Sequence, residues 1–464
     1  MIDLFLTAFV FALFAAGLRK PFVWVLAYLY IDVLAPQKIS WFLLQTIPIS
    51  LIAFTLAFLG WAYADAKQGS RFGLRQWLIV ILLGYCGATT LAADIPEAAL
   101  AKWDWVWKAL VFAAFLPLAL RTRLRIEATA LVMVLAAGAI VIPAGIKTLL
   151  SGGGYGALHL LVNDNVGLYE GSILSTVAIA VIPLGLWLAR HGTIFTPDRR
   201  ARLFALALAF ACALIPVGTE ARTGLVCLGV LALLGLRQVK RRFLYVGLIG
   251  AAALLAAPFL PQSFTARMET ISDHQADQSA STRLAVWRWT IDFVRDNPLG
   301  GGFDAYRQNR LAVEIVDTAE AGNTTAHETR TVVEKGRAYH SSYFEMLGEQ
   351  GWPGLALWLL IHLLGVWQME RVYRRYRRKA EPDEAWIAPL AYALLQAQIV
   401  YLVGSLFVGV AYQPFCYMIV ALQCALWSWV RRRESAAVPR ATPRPLFRRR
   451  GDATASATTA ESVA

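Results

Sequence analysis

Two arginines and one histidine occur in motifs whose residue types suit phosphate chemistry. Arg222 lies in the polar crossover GTEARTG, residues 218–224, between two apolar runs. The crossover places Arg222 at the beginning of a helix, where free N–H groups and the positive dipole end attract an anion. A guanidinium group there can bind two phosphate oxygens at once. An interfacial arginine paired with Glu220 is the alternative interpretation.

Arg283 lies in the segment STRLAVWRW, residues 281–289, which runs on to the glycine-rich turn at 300–302. Ser281 or Thr282 is expected to cap a helix that ends near Arg295, with Arg283 in its first turn and Trp287 on the same face. The positive end of the helix dipole disfavours an arginine at this position. An anionic partner near Arg283 would explain why the arginine occurs there. An amphipathic helix lying on a membrane, with ordinary surface arginines, remains the alternative.

His340 lies in YHSSYFEMLGEQG, residues 339–351, which leads directly into an apolar run. An imidazole with a pKa near 6.5 suits the removal of a proton from an attacking hydroxyl. A solvated or structural histidine is the alternative. A second helical piece is expected from Tyr343 to Gln350.

The elements that position these motifs are membrane spans. The chain of 464 residues is 58% hydrophobic and 16% charged, whereas soluble domains carry roughly 25% charged residues. Its apolar runs match the thickness of a hydrocarbon core of about 30 Å. They predict an all-α bundle of 12 or 13 transmembrane helices, with the first two runs forming either two crossings or a hairpin. The runs are 2–18, 21–35, 41–64, 77–92, 103–120, 126–148, 171–189, 202–217, 223–236, 243–259, 350–369, 386–411 and 413–430.

The net charge of +13 follows the topology of the chain and does not indicate nucleic-acid binding. Basic residues concentrate in alternate segments between the apolar runs, for example at 67–75, 121–125, 190–202 and 371–379, and in the tail from Arg431. The positive-inside rule places these segments in the cytoplasm and the three motifs on the opposite side. The predicted units are an N-terminal bundle (1–259), a large periplasmic loop with short helices (260–349), C-terminal helices (350–430) and a disordered basic tail (431–464).

Further charged and polar groups on the external side are weaker candidates. Those proposed to bind substrate are Arg288, Lys102, Arg307, Glu220 and Tyr339, although solvent-facing surface charge also explains the first three. Asn163, Asp164, Asn165 and Glu170 can bond to sugar hydroxyls or simply form a turn. His274 with Asp277, and His327 with Glu328, have no third ligand at metal-binding spacing, so no metal site is predicted. The stretch from Glu314 to Lys335 is interpreted as a mobile insertion that gates substrate.

Side chains inside the apolar runs carry little chemistry. The five cysteines, Cys86, Cys212, Cys227, Cys416 and Cys424, are interpreted as small buried hydrophobes. His362 is the main ionisable group near the middle of a run and is expected to be structural. The N-terminal run precedes its basic residues, Arg19 and Lys20, which indicates a retained membrane segment.

Three motifs in this order, a TxARTG crossover, an RLxxW…PLGGGF segment and HSxYFExLGExGxxGL, resemble the O-antigen ligase and polymerase superfamily. The resemblance is strongest to the O-glycosylation ligases of the exosortase A-associated type, and it covers roughly residues 1–430. It implies a glycosyltransferase of the bacterial inner membrane with its active site in the periplasm. Arg222 and Arg283 would bind phosphate, and His340 would be the base.

The resemblance further implies an inverting transfer without a metal or other cofactor. The donor would be a glycan on undecaprenyl pyrophosphate, and the acceptor lipid A core or a protein hydroxyl, so the partners are these substrates and membrane lipids. A polymerase that joins lipid-linked repeat units is the nearest alternative. A transporter or flippase is a second one, which would require a polar cavity through the midplane.

Overall fold

The computed structural model describes residues 2–67, 71–150, 167–256, 278–321, 324–379 and 381–437. Within these ranges the chain is almost entirely helical. The helices are α1 (Ile2–Arg19), α2 (Phe22–Leu34), α3 (Pro36–Ile39), α4 (Ile49–Ala64), α5 (Leu74–Leu91), α6 (Pro96–Ala119), α7 (Arg123–Leu150), α8 (Gly171–His191), α9 (Arg199–Gly218), α10 (Arg222–Leu236), α11 (Arg242–Ala256), α12 (Gln278–Asp296), α13 (Ser342–Lys379), α14 (Ile387–Gly404) and α15 (Pro414–Ala437).

The composition and exposure of these helices confirm an all-α polytopic membrane protein. In the described part of the chain, seven helices are long and apolar enough to cross a membrane, and three shorter helices are also apolar. Large apolar side chains are exposed along α1, α9 and α11, among them Phe5, Phe210 and Phe243. Soluble proteins rarely leave so much apolar surface open, so these faces are suited to contact lipid. Whether α1 and α2 both cross the membrane remains a prediction.

Two apolar clusters form the interior of the bundle. The larger one joins α2, α4, α6, α7, α8, α14 and α15, with α8 packed between α9 and α14. The second joins α5, α6, α13 and the chain from Val408 to Cys424. Because α6 contributes to both clusters, it connects the N-terminal helices with α13. His340 lies immediately before α13, so packing between α6 and α13 helps to position the motif that contains His340.

Two boundaries differ from the sequence prediction. The predicted run 41–64 becomes helical only at Ile49, directly after Pro48, and residues 41–47 form turns and bends. The tail does not begin at residue 431, because α15 continues to Ala437. Ion pairs explain that extension: Arg433 lies 2.9 Å from Asp383, and Glu434 lies 2.8 Å from Arg375. Residues 438–464 lie outside the described ranges.

One residue of a predicted cytoplasmic basic segment is buried inside the bundle. The side chain of Arg75, near the beginning of α5, is 1% exposed. Its guanidinium group donates to the Ile361 carbonyl oxygen at 2.9 Å and to Gln423 Oε1 at 2.8 Å. These acceptors come from helices far away in the chain, so Arg75 joins α5 to α13 and α15. The prediction that Arg75 belongs to a solvated cytoplasmic segment, residues 67–75, was therefore wrong.

The long segment before α13 contains a β-hairpin as well as a helix. Strands β1 (Arg310–Ala321) and β2 (Thr324–Lys335) are antiparallel, with Arg310 opposite Lys335 and Ala321 opposite Thr324. Their ladder gives most of the stretch 314–335 a regular backbone. That this stretch is mobile and gates substrate stays a prediction. Strand β1 packs against α12, which connects the hairpin to the helix that carries Arg283.

The predicted glycine turn, residues 300–302, is hydrogen-bonded to α13 next to a break in that helix. Gly351 has a φ of +61°, and it separates a first helical piece, which ends at Gln350, from the long apolar remainder. Gly301 N donates to the Gly348 carbonyl oxygen at 3.0 Å, and Gly302 N donates to that of Glu349 at 2.9 Å. The break therefore fixes the piece that follows His340 against the 300–302 turn.

We expect Gly351→Ala to destabilise the protein. A Cβ at Gly351 would lie 2.2 Å from the Pro298 carbonyl oxygen, and the positive φ is unfavourable for alanine. The strain alone should cost about 1–3 kcal/mol of unfolding free energy. Gly84→Ala is the matched control, since a Cβ there has no neighbour within 4 Å. Equal thermal stability of both variants in detergent would contradict this role of Gly351.

Candidate functional site

Helix α12 is attached to the segment that carries His340 through Trp287. The Trp287 indole N–H donates to the Tyr339 carbonyl oxygen at 2.9 Å, and its ring stacks on Phe344 at 4.8 Å with an interplanar angle of 5°. Arg283 lies one turn before Trp287 on the same helix, as predicted. Helix α12 begins at Gln278, so the prediction that Arg283 occupies the first turn was wrong. Gln278, Ser279 and Ala280 already form a helical turn before it.

The crossover that carries Arg222 packs against the beginning of α8. Ser175 Oγ and Thr219 Oγ1 lie 2.8 Å apart, and Arg222 is the first residue of α10, as predicted. Glu170 caps α8, since its Oε2 accepts from Ile173 N at 2.6 Å. Glu220 is 6% exposed and has a φ of +51°, a strained conformation for this residue type.

His340 lies immediately before the first piece of α13 and is held by the residues that follow it. Its φ is +48°, in the left-handed region. Ser342 N donates to the Ser405 carbonyl oxygen at 2.8 Å, while Ser342 Oγ donates to the Val408 carbonyl oxygen at 2.9 Å. The chain therefore turns sharply at His340 over an anchored helix start. His340 itself is exposed to solvent.

The charges around His340 favour the neutral imidazole. Partial removal of water and the positive charges of Arg283 and Arg337 lower the pKa of His340 from its usual value, while the negative charge of Glu170 opposes this shift. A lowered pKa leaves the ring neutral at pH 7, which is the form that accepts a proton. Arg337, which pairs with Glu334 at 2.8 Å, was not predicted. Its only signal in the sequence is its position three residues before His340.

These contacts bring the three motifs to one end of the bundle. Arg283 and Glu170 both act electrostatically on His340, and Glu170 begins the helix against which the Arg222 crossover packs. We call this end, which carries Glu170, Arg222, Arg283 and His340, the motif end. The predicted shared location of the motifs is thus supported by their packing.

A buried ion cluster includes two carboxylates of the helical piece that follows His340. Lys102 Nζ on α6 lies 2.7 Å from Glu349, 2.8 Å from Glu345 and 3.5 Å from Asp304. The side chain of Lys102 is 12% exposed, so the interpretation of this residue as solvent-facing surface charge was wrong. The three carboxylates stabilise the ammonium group where little water reaches it. The cluster connects α6, Asp304 and the first piece of α13.

Tyr339 is also buried, at 3% exposure, and lies against Gly348. Burial raises its pKa well above the usual value, and the nearby carboxylates Glu349, Glu345 and Asp304 add to this, so it stays protonated.

The other predicted residues are exposed, lie on the hairpin or fall outside the described residues. Arg288 is exposed. Arg307 is 54% exposed and pairs with Asp304 at 3.1 Å. His327 and Glu328 lie on β2. Asn163, Asp164, Asn165, His274 and Asp277 lie outside the described residues.

The remaining candidates for redox or metal chemistry are buried. All five cysteines are free and buried, and His362 is fully buried with Nδ1 3.0 Å from Gln398 Nε2. Across the described ranges, no group of three or more His, Cys, Asp or Glu residues has a metal-binding arrangement. A reaction without a metal stays a prediction.

We expect Lys102→Met to lower the unfolding free energy by about 3–5 kcal/mol, because it leaves buried carboxylates without a cation. Lys108→Met on the same helix is the control. It removes a pair to Asp104, which is 73% exposed, and such pairs contribute only about 0.3–0.5 kcal/mol. Equilibrium unfolding in mixed micelles compares the two variants. A loss for Lys102→Met no larger than that of the control would contradict the structural role of the cluster.

Two family models match the chain in consecutive segments. Residues 1–193 match the DUF5935 family, a family of unknown function. Residues 205–359 match the O-antigen ligase family. No curated protein matches the chain at a significant level. The second match includes Arg222, Arg283 and His340, and it supports the resemblance to the O-antigen ligase superfamily.

Proposed function

We propose that this protein is a glycan ligase of the bacterial inner membrane with its motif end in the periplasm. It would transfer a saccharide chain from undecaprenyl pyrophosphate to a lipid A core or a protein hydroxyl. The observation that carries this proposal is an exposed histidine whose pKa is lowered, in part by Arg283, within the segment similar to O-antigen ligases. Glu170, which also acts on this histidine, begins the helix against which the Arg222 crossover packs.

The two arginines would act on the leaving group. As the bond between the anomeric carbon and the pyrophosphate oxygen breaks, its electron pair moves to that oxygen and negative charge develops there. Guanidinium groups already in place stabilise this charge without a metal ion. Arg222 is the first residue of α10 and adds the positive end of a helix dipole, which favours an anion.

His340 would act on the acceptor. The acceptor oxygen attacks the anomeric carbon on the side opposite the pyrophosphate, and its proton passes to the neutral imidazole. The configuration of the sugar is therefore inverted. Glu170, Arg283 and Arg337 surround the ring with charges that set its basicity. The protonated imidazole then returns its proton to solvent, which reaches the exposed side chain.

We expect Arg222→Ala and Arg283→Ala each to reduce transfer by about 10²–10³-fold, the usual loss when a charge-stabilising group is removed. Arg222→Lys should stay poor, because lysine keeps the charge but not the bidentate geometry. Arg295→Ala is the control, since this residue lies on α12 with its side chain 72% exposed. The assay follows transfer from the lipid-linked donor. Full activity of either alanine variant would remove the proposed pyrophosphate site.

The pH dependence tests the base. Activity should fall as the pH drops through the pKa of His340, and the midpoint should lie below the usual value of about 6.5. Arg337→Gln removes a positive charge and should move this midpoint to higher pH. Glu170→Gln should move it to lower pH.

Asp292→Asn, an exposed change on α12, is the control for the pH profile and should leave the midpoint in place. If the midpoint responds neither to Arg337→Gln nor to Glu170→Gln, the fall in activity at low pH belongs to a group other than His340.

A further inference from the structure

A cavity of about 670 Å³ opens beside the motif end. It lies between the end of α2, the first half of α6, Ile173 near the start of α8 and the chain from Gly409 to Phe415. Glu345, on the first turn of α13 after His340, forms part of its wall. Its volume is typical of ligand sites, which span roughly 300–1,000 Å³.

Within the described ranges, acidic and basic side chains line this cavity in equal number. Among the described residues the lining contains the carboxylates Asp32, Asp304 and Glu345, and the ammonium groups Lys38, Lys102 and Lys108. This balance differs from the arginines of the proposed pyrophosphate site and does not select an anion. Carboxylates accept hydrogen bonds and ammonium groups donate them. A neutral ligand with many hydroxyl groups, which both donate and accept, matches such a wall.

Among the described residues that line the cavity, Asp32 is the one carboxylate that has a buried oxygen without a hydrogen bond; Gln37 and Tyr412 also have such a buried polar atom. It lies on α2 between Ile31 and Val33, both buried. Its Oδ2 is closed to water and, within the described structure, accepts no hydrogen bond. Leaving a buried carboxylate oxygen without a partner is costly, so such groups are usually explained by a ligand or a function. A ligand hydroxyl that donates to Asp32 would supply the bond.

Aromatic residues complete the wall. Trp105 on α6 lines the cavity and is 41% exposed. Tyr169 also lines it and is held in place by its hydroxyl, which donates to the Leu34 carbonyl oxygen at 2.6 Å. Rigid aromatic faces suit the apolar faces of sugar rings, while the charged groups suit their hydroxyls.

We infer that this cavity is a saccharide-binding subsite, built mainly by the N-terminal segment that matches the family of unknown function. This inference rests on the proposed function and assigns a separate task to residues 1–193. Asp32, Trp105 and Lys108 lie in that segment, whereas Arg222, Arg283 and His340 lie in the segment similar to O-antigen ligases. The first segment therefore recognises the glycan, and the second carries out the transfer.

Asp32→Asn tests the subsite, because it keeps the shape of the side chain and removes its charge. With the host's own undecaprenyl-pyrophosphate glycan as donor, KM for one glycan substrate should rise about 10-fold or more, the effect of losing a charge-assisted hydrogen bond. kcat should change little. A rise in donor KM assigns the subsite to the donor glycan, and a rise in acceptor KM assigns it to the acceptor saccharide. Inhibition by glycan-free undecaprenyl pyrophosphate should be unchanged.

Trp105→Ala is the second variant, since this exposed position tolerates truncation better than Asp32. Glu97→Gln is the matched control on the same helix, since Glu97 is exposed and does not line the cavity. Unchanged KM values for both substrates in folded Asp32→Asn and Trp105→Ala would overturn the inference. The inference would also be overturned if both variants weaken inhibition by glycan-free undecaprenyl pyrophosphate as much as they raise KM. The cavity would then bind the lipid phosphate.

Direct binding separates the failure of this inference from the failure of the proposed function. The oligosaccharide released from the same donor by mild acid is titrated into the purified protein and followed by ligand-observed NMR. Binding that is lost in Asp32→Asn but kept in Glu97→Gln supports the subsite even if the wild-type protein transfers nothing. Absence of binding to the wild-type protein overturns the subsite, whether or not transfer occurs.

Discussion

The ammonium group of Lys102 lies between Glu345 and Glu349 at 2.8 and 2.7 Å, in a position with little access to water. A charge there requires several partners, because desolvation of each ion costs several kcal/mol. Asp304 supplies a third carboxylate, and its backbone N–H donates to Glu349 at 3.0 Å. The electrostatic requirement of one lysine thus holds together α6, the end of the glycine turn and the helical piece that follows His340.

The rest of the motif end depends on that arrangement. Helix α12 can place Arg283 near His340 only because Trp287 packs on Phe344, which lies in the piece anchored by Glu345 and Glu349. The same piece contributes Glu345 to the wall of the cavity that Asp32 also lines. The reaction proposed for the arginines and the histidine and the recognition proposed for the cavity therefore share one rigid element. Lipid-facing helices such as α1 and α11 contribute apolar surface and no part of either site.

Local patterns in the sequence predict a large part of this structure. Apolar runs predict most of the helices, and the Trp287 segment predicts α12, because both signals depend on neighbours within a few turns. Non-local pairs are not predicted. Arg75 looks like part of a solvated basic segment, yet its partner Gln423 lies 348 residues away. Lys102 looks like surface charge for the same reason, since Glu345 is 243 residues away. The β-hairpin depends on pairing between strands, which a polar stretch with few apolar residues signals weakly.

Transfer by the purified protein tests the central claim most directly. The protein is reconstituted with its host's undecaprenyl-pyrophosphate glycan and with lipid A core or candidate protein acceptors, in the presence of EDTA, and the product is identified by mass spectrometry and NMR. The account predicts one glycan attached to the acceptor through an inverted anomeric bond, with undiminished yield in EDTA. Extension of the lipid-linked chain without attachment, or activity that EDTA abolishes and a divalent metal restores, would contradict it.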